Sequence, residues 1–166
     1  LSVGQAYVDR DDVDAVAAVL LGPSLGSGPA VAHFEVGLAQ ATGAPRAVAV
    51  SSATAALQLA YHVLGVGPGR TVLTTANAFP AVAAAAQICG GSVDFVDIDL
   101  GTGNLDTRQL EGRLERGCTP HVVTAVHFAG LPCDMEWLIA LKRRHDFFLV
   151  EDASQAKGLV KREVTR

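Results

Sequence analysis

Two acids, Glu151 and Asp152, follow four apolar residues in the stretch FFLVEDASQAKG, residues 147 to 158. Such an apolar run reads as a buried strand, so both carboxylates arrive at its C-terminal end. In an open α/β sheet the ligand crevice lies outside the carboxyl ends of the strands, which is where a cofactor or substrate would be held. An acid closing a strand also serves as a helix N-cap or a turn residue, and taken alone that role is the commoner one. A second candidate is the run Ser51, Ser52, Ala53, Thr54, Ala55 at the predicted start of a helix. Unpaired N–H groups and the positive end of the helix dipole favour a phosphate there, and these small side chains block nothing. A plain Ser or Thr cap is the competing reading. Phe79 is the third candidate, at a predicted strand-to-helix junction, where its ring could stack on a planar cofactor or belong to the core.

These residues need a scaffold that delivers them to one place. The pattern of the 166-residue chain predicts helices over residues 11 to 21, 30 to 41 and 54 to 64, an Ala-rich helix that residues 77 to 79 lead into and that ends at Cys89 and Gly90, and helices over 107 to 114 and 135 to 145. Strands are predicted over 47 to 50, 71 to 74, 92 to 96 and 121 to 128, before the closing strand with Asp152. Five strands alternating with helices imply an α/β fold of three layers: a mainly parallel, right-handed, doubly wound sheet with helices on both faces. Composition agrees, since 49% hydrophobic but only 5% aromatic residues make a core of Ala, Val and Leu. Strands covered on both faces read as continuous apolar runs. The glycines of residues 22 to 29 follow no strand and lack the dinucleotide-binding spacing, so they read as a connecting loop.

Other functions are disfavoured. A formal charge of -4 gives no electrostatic reason to expect nucleic acid or an anionic membrane as partner. No apolar run approaches the roughly 18 residues of a membrane span, and the opening LSVGQAYVDRDD lacks signal-peptide features. The cytoplasm is the expected compartment. Cys89, Cys118 and Cys133 lie too far apart for a disulfide framework or a zinc knuckle and read as buried free thiols. His121, His127 and His145 are scattered and read as structural residues, so no metal site is expected. Leu1 in place of methionine, and the tail LVKREVTR, suggest a fragment.

Ordered landmarks then carry a resemblance over nearly the whole chain: GSGPAVAHFE at 26 to 35, AVAVSSATAALQLA at 47 to 60, LGVGPG at 64 to 69, VDFVDID at 93 to 99, AVHFAGLPCDM at 125 to 135 and VEDASQA at 150 to 156. In that order they resemble the N-terminal part of the DegT/DnrJ/EryC1/StrS nucleotide-sugar aminotransferases, pyridoxal-phosphate enzymes of fold type I. The opening VGQAYVDRDDVDAVAAVL, SSATAAL, HFAGLPCDM and VEDAS are most similar to the branch that aminates a UDP-linked 4-keto-6-deoxy-N-acetylhexosamine. The resemblance implies that residues 1 to 166 are an incomplete large domain, without its remaining strands or the C-terminal small domain. It implies that Thr54 and Ala55 offer backbone amides, and Thr54 its hydroxyl, to the cofactor phosphate. It further implies that Phe79 stacks on the pyridine ring, Asp152 pairs with the protonated ring nitrogen, and Gln155 lies near the phenolic oxygen.

The family's Schiff-base lysine follows the Asp by a few tens of residues, beyond Arg166. Lys142, Lys157 and Lys161 do not match it, Lys157 being read as structural or solvent-exposed, so no catalytic residue is expected within these residues and the chain alone is expected to be inactive. When complete, such an enzyme would act on a nucleotide-linked keto sugar with an amino-acid donor, expected to be glutamate, as a homodimer. A dehydratase branch of the same family, a non-catalytic binding or dimerisation module, and an unrelated nucleotide binder using the loop at 22 to 28 remain as alternatives.

Overall fold

The computed structural model describes residues 7–26 and 28–156. The chain divides into two compact units, residues 1–49 and 50–166. In the first, helix α1 (Arg10–Leu20) opens with a reciprocal capping box, in which Asp9 Oδ1 accepts the Asp12 N–H and Asp12 Oδ2 accepts the Asp9 N–H, each at 3.1 Å. Helix α2 (Pro29–Thr42) starts with proline, whose missing N–H costs nothing in a first turn, and ends at Gly43 in the left-handed region, φ 71°. Neither helix buries a side chain.

The second unit carries helix α3 (Ala53–Val63), strand β1 (Thr71–Thr75), helix α4 (Ala81–Ile88), strand β2 (Ser92–Val96), helix α5 (Thr107–Glu115), strand β3 (Val122–Val126), a 3-10 turn (Phe128–Gly130), helix α6 (Met135–Arg144) and strand β4 (Phe148–Asp152). Side chains cap three of the helices: Ser52 before α3, Asp106 before α5 and Asp134 before α6. The strands form one sheet in the order β2-β1-β3-β4, and all three pairings are parallel.

The expected strand at 47 to 50 is a correction: among the described residues the sheet has four strands, and this segment is not one of them. A strand exists through its ladder partner. Here the Ala49 N–H goes to the Glu35 carboxylate at 2.8 Å, and Val48 and Val50 are exposed. The segment also straddles the boundary between the two units. At β3 the prediction ran long, because His127 and Phe128 leave the ladder to enter the 3-10 turn.

Two apolar cores sandwich the sheet. On one face Leu57 and Tyr61 of α3 and Val82, Ala85 and Ala86 of α4 pack with Val72, Val122 and Val126. On the other, Leu110 and Leu114 of α5 and Leu138 and Leu141 of α6 pack with Leu73, Val123 and Ala125. Successive residues of β3 therefore alternate between the cores, as a pleated strand covered on both faces requires. This is the expected three-layer α/β arrangement.

The connections set the position of the crevice. From β1 the chain crosses through α4 to β2 on one side, and from β3 through α6 to β4 on the other, so β1 and β3 are neighbours whose exits diverge. Divergent exits leave a gap above the C-terminal ends of the two strands, the topological switch point.

Candidate functional site

A cavity of about 470 Å³ occupies that gap, within the usual range of roughly 300–1,000 Å³ for small-molecule sites. Its walls come from the first turns of α3 (Ala53, Leu57), the β1–α4 loop (Asn77, Phe79), the end of β3 (His127, Phe128) and the end of β4 (Asp152, Gln155). Three of the five residues expected at the site, Phe79, Asp152 and Gln155, line this one cavity.

Each has a definite setting. Phe79 stands between β1 and α4 with 74% of its surface exposed, so its ring is a wall rather than part of the core. Asp152 is the last residue of β4 and half-buried. Its Oδ1 accepts the Ser154 N–H at 3.1 Å and the Ser154 hydroxyl, the turn arrangement that competes with a ligand-binding reading. Its backbone oxygen accepts the His127 N–H at 3.1 Å, which ties β4 to β3 one residue beyond the ladder. Gln155 Oε1 accepts the Ala129 N–H at 2.9 Å and so braces a backbone held at φ 52°, a conformation that costs an alanine about 1 kcal/mol or more.

Thr54 and Ala55 sit in the first turn of α3 beside the lining residue Ala53, but they are not themselves in the cavity wall. The Ala55 amide donates to Ser52 Oγ at 3.2 Å, so the cap occupies one of the two amides expected to meet an anion. An anion at this helix start would compete with Ser52 for that N–H. Lys142 is exposed on α6 and does not line the cavity, while Lys157 and Lys161 lie outside the described residues.

About one turn beyond the lining residue Leu57, Tyr61 of α3 is wholly buried, and its hydroxyl meets Thr124 Oγ1 at 2.8 Å. Burial pushes the phenol up to about 12; the Thr124 contact opposes this, and the negative charge of Asp152 adds to it.

Several residues in or bracing the cavity wall escape sequence reasoning. Asn77 donates through Nδ2 to Gly103 O at 2.9 Å, and the buried Asn104 accepts the Phe128 N–H at 2.9 Å, so the loop after β2 braces those after β1 and β3. No motif marks these long-range contacts. His127 could have been found by the rule that singled out Asp152, because it too sits at the C-terminal end of a strand. Its imidazole is fully buried, with Nε2 3.2 Å from Glu151 Oε2, and Nδ1 accepts the Cys133 N–H at 3.1 Å. The Cys133 side chain, then the Glu151 carboxylate, push its pKa up to about 9 against the cost of burial. The Cys133 amide pulls the other way, since it only donates and a doubly protonated ring has no lone pair at Nδ1. In the neutral ring that contact fixes the tautomer with its proton on Nε2, facing Glu151.

Residues 6–164 match the DegT/DnrJ/EryC1/StrS aminotransferase family. The chain is 38% identical over 151 residues to the spore coat polysaccharide biosynthesis protein SpsC of Bacillus subtilis, covering 90% of this chain and 38% of that protein. It is also 38% identical over 152 residues to a UDP-4-amino-4,6-dideoxy-N-acetyl-beta-L-altrosamine transaminase of Campylobacter jejuni, covering 91% and 40% respectively. Among solved structures, the PLP form of the sugar aminotransferase Spr1654 from Streptococcus pneumoniae superposes with a TM-score of 0.83 at 28% identity, over 92% of this chain and 42% of that one. The chain thus spans about two fifths of the length of the proteins it matches.

Proposed function

This chain belongs to the DegT/DnrJ/EryC1/StrS aminotransferase family, and from that membership we propose that it is the cofactor-holding part of a pyridoxal-phosphate transaminase acting on a nucleotide-linked 4-keto-6-deoxy sugar. The observation that carries the reading is the meeting of Phe79, Asp152 and the first turn of α3 around one cavity at the switch point. An exposed aromatic wall, a carboxylate and a helix start bearing only small side chains are the three features a phosphorylated pyridine needs. Pyridoxal phosphate, when bound, supplies the electron sink on which transamination depends.

The residues divide that work among them. Phe79 would present its face to the ring. Asp152 would keep a proton on the ring nitrogen, because a nearby anion favours the charged form of a basic partner. Thr54, through N–H and hydroxyl, and Ala55, once Ser52 yields, would hold the phosphate, where unpaired amides and the helix dipole favour an anion. Gln155 would stand near the phenolic oxygen while bracing Ala129. The sugar nucleotide as substrate, glutamate as donor, a homodimeric assembly and a cytoplasmic location complete the proposal. They rest on the family resemblance and on the transaminase activity for which the Campylobacter relative is named. No helix among the described residues is long and apolar enough to cross a membrane.

None of the described lysines lines the cavity, and the 166 residues alone are expected to bind cofactor without turnover. Pyridoxamine 5'-phosphate needs no lysine to bind and is therefore the probe. Calorimetric titration of the chain is expected to give saturable binding that weakens about tenfold or more in Asp152→Asn, the range expected for loss of a charged partner. Binding equal in the two proteins, or none in either, overturns the assignment.

A further inference from the structure

We propose that His127 is a positioning residue for Asp152: through Glu151 it fixes which face of β4 each acid occupies, and so keeps the Asp152 carboxylate on the cavity side. This rests on the cofactor reading of the cavity given above.

The need for such a device lies in the strand. β4 pairs in parallel with β3. Its register sets Phe148 opposite Val122, Leu149 opposite Val123 and Val150 opposite Thr124. Phe148, Leu149 and Val150 are apolar on both faces, so hydrophobic pattern does little to oppose a one-residue slip, and such a slip exchanges the faces of every side chain. A slip would carry Asp152 away from the cavity and put Glu151 or Ala153 in its place.

The end of the strand breaks that degeneracy. Glu151 lies opposite Ala125 and Asp152 opposite Val126. Ala125 belongs to the core under α5 and α6, and Val126 to the core under α3 and α4. Glu151 therefore belongs to the α5/α6 side, and Asp152 to the side of Tyr61 and α3. His127, next but one after Ala125, reaches the Glu151 carboxylate with Nε2 at 3.2 Å. The ring cannot turn away, because the Cys133 N–H holds Nδ1 at 3.1 Å while the Cys133 thiol donates to Val126 O at 3.2 Å. The His127 amide closes on Asp152 O at 3.1 Å. One residue thus grips β4 by side chain at position 151 and by backbone at position 152. Of the side-chain hydrogen bonds and ion pairs present among the described residues, His127–Glu151 is the one that joins the end of β3 to β4.

The test uses the 166-residue chain with pyridoxamine 5'-phosphate labelled with 15N in the ring, reading affinity, the ring-nitrogen resonance and the 31P resonance of the phosphate. His127→Leu and Glu151→Leu are each expected to weaken binding about tenfold, the size seen where a partner that orients a binding group is lost. Both should move the ring nitrogen toward its unprotonated position while leaving the 31P signal of the bound phosphate in place. General loosening of the fold would move both signals together. Glu151→Gln still accepts from Nε2–H and is expected to restore wild-type behaviour. Should His127→Leu fail to fold, Glu151→Leu decides alone, since that side chain is 46% exposed.

Wild-type affinity and an unshifted ring nitrogen in Glu151→Leu, alongside a weakened Asp152→Asn, overturn the positioning role and leave the cofactor reading standing. So does a Glu151→Gln variant as impaired as Glu151→Leu, or loss of both signals together. If the unmutated chain does not bind, or Asp152→Asn binds equally well, the cofactor reading itself falls and this proposal with it.

Discussion

Tyr61 places a phenol where water does not reach, and its hydroxyl meets Thr124 Oγ1 at 2.8 Å. Tyr61→Phe keeps the ring but leaves the Thr124 hydroxyl buried without that partner, so it is expected to cost about 1–3 kcal/mol in chemical denaturation. The same burial predicts a pH dependence. The phenol titrates near 12 in the fold and near 10 in an unfolded chain. A pKa raised by folding means that the neutral form is favoured in the native state. The stability it contributes is complete below about pH 10 and is lost as pH rises toward 12, on the order of 2 kcal/mol across that window. Unfolding free energies of wild type minus Tyr61→Phe, measured from pH 9 to 11.5, should show this loss. A difference that stays flat with pH would mean that the phenolate is solvated in the native state. Residue by residue, the sequence was legible where chemistry and position coincide. Phe79 and Asp152 stand out because each has a telling side chain at the crevice end of the sheet, Phe79 in the loop between β1 and α4 and Asp152 at the end of β4. His127 has the same position but was passed over, since an isolated histidine carries no spacing signal. Asn77 and Asn104 act through partners 26 and 24 residues away, and nothing local announces them.

At the level of elements, apolar periodicity located the helices closely because it is a local signal; of the caps only the serines before α3 were read, whereas Asp9, Asp106 and Asp134 cap α1, α5 and α6. The segment at 47 to 50 failed for the converse reason: an apolar tetrapeptide becomes a strand only when a neighbour completes its ladder, and pattern cannot supply the neighbour. Close approach between elements is equally invisible in a sequence. Gly91, between α4 and β2, illustrates it. A Cβ there would lie 2.6 Å from Val66 Cγ1, 3.1 Å from Arg70 O and 3.3 Å from Ala86 O. Two of those three walls are backbone and cannot rotate away, so even a methyl group must push elements apart. Gly91→Ala is expected to cost about 1–3 kcal/mol, the usual penalty for overpacking, read as a lower denaturation midpoint with an unchanged slope. A midpoint equal to wild type would show that the α4–β2 turn shifts at little cost.

For the whole molecule, the order of strands decides where a ligand can sit, and the distribution of buried side chains decides what holds firm. The switch point lies between β1 and β3, and these are also the strands flanked by a neighbour on each side. Val72, Leu73, Val122 and Val123 have no exposed surface, whereas α1 and α2 contain no buried residue. Amides open with free energies that follow such local support, from near zero up to the global value. Hydrogen exchange on the chain is therefore expected to leave the β1 and β3 amides protected at least about 100-fold longer than those of α1 and α2. That contrast would mean that the floor of the cavity belongs to the last part of the protein to open, a fitting support for a carboxylate and a ring that must hold a ligand in one orientation. Equal protection in α1 and β3 would instead mean that residues 1–49 open only together with the sheet, and that the two compact units behave as one cooperative body.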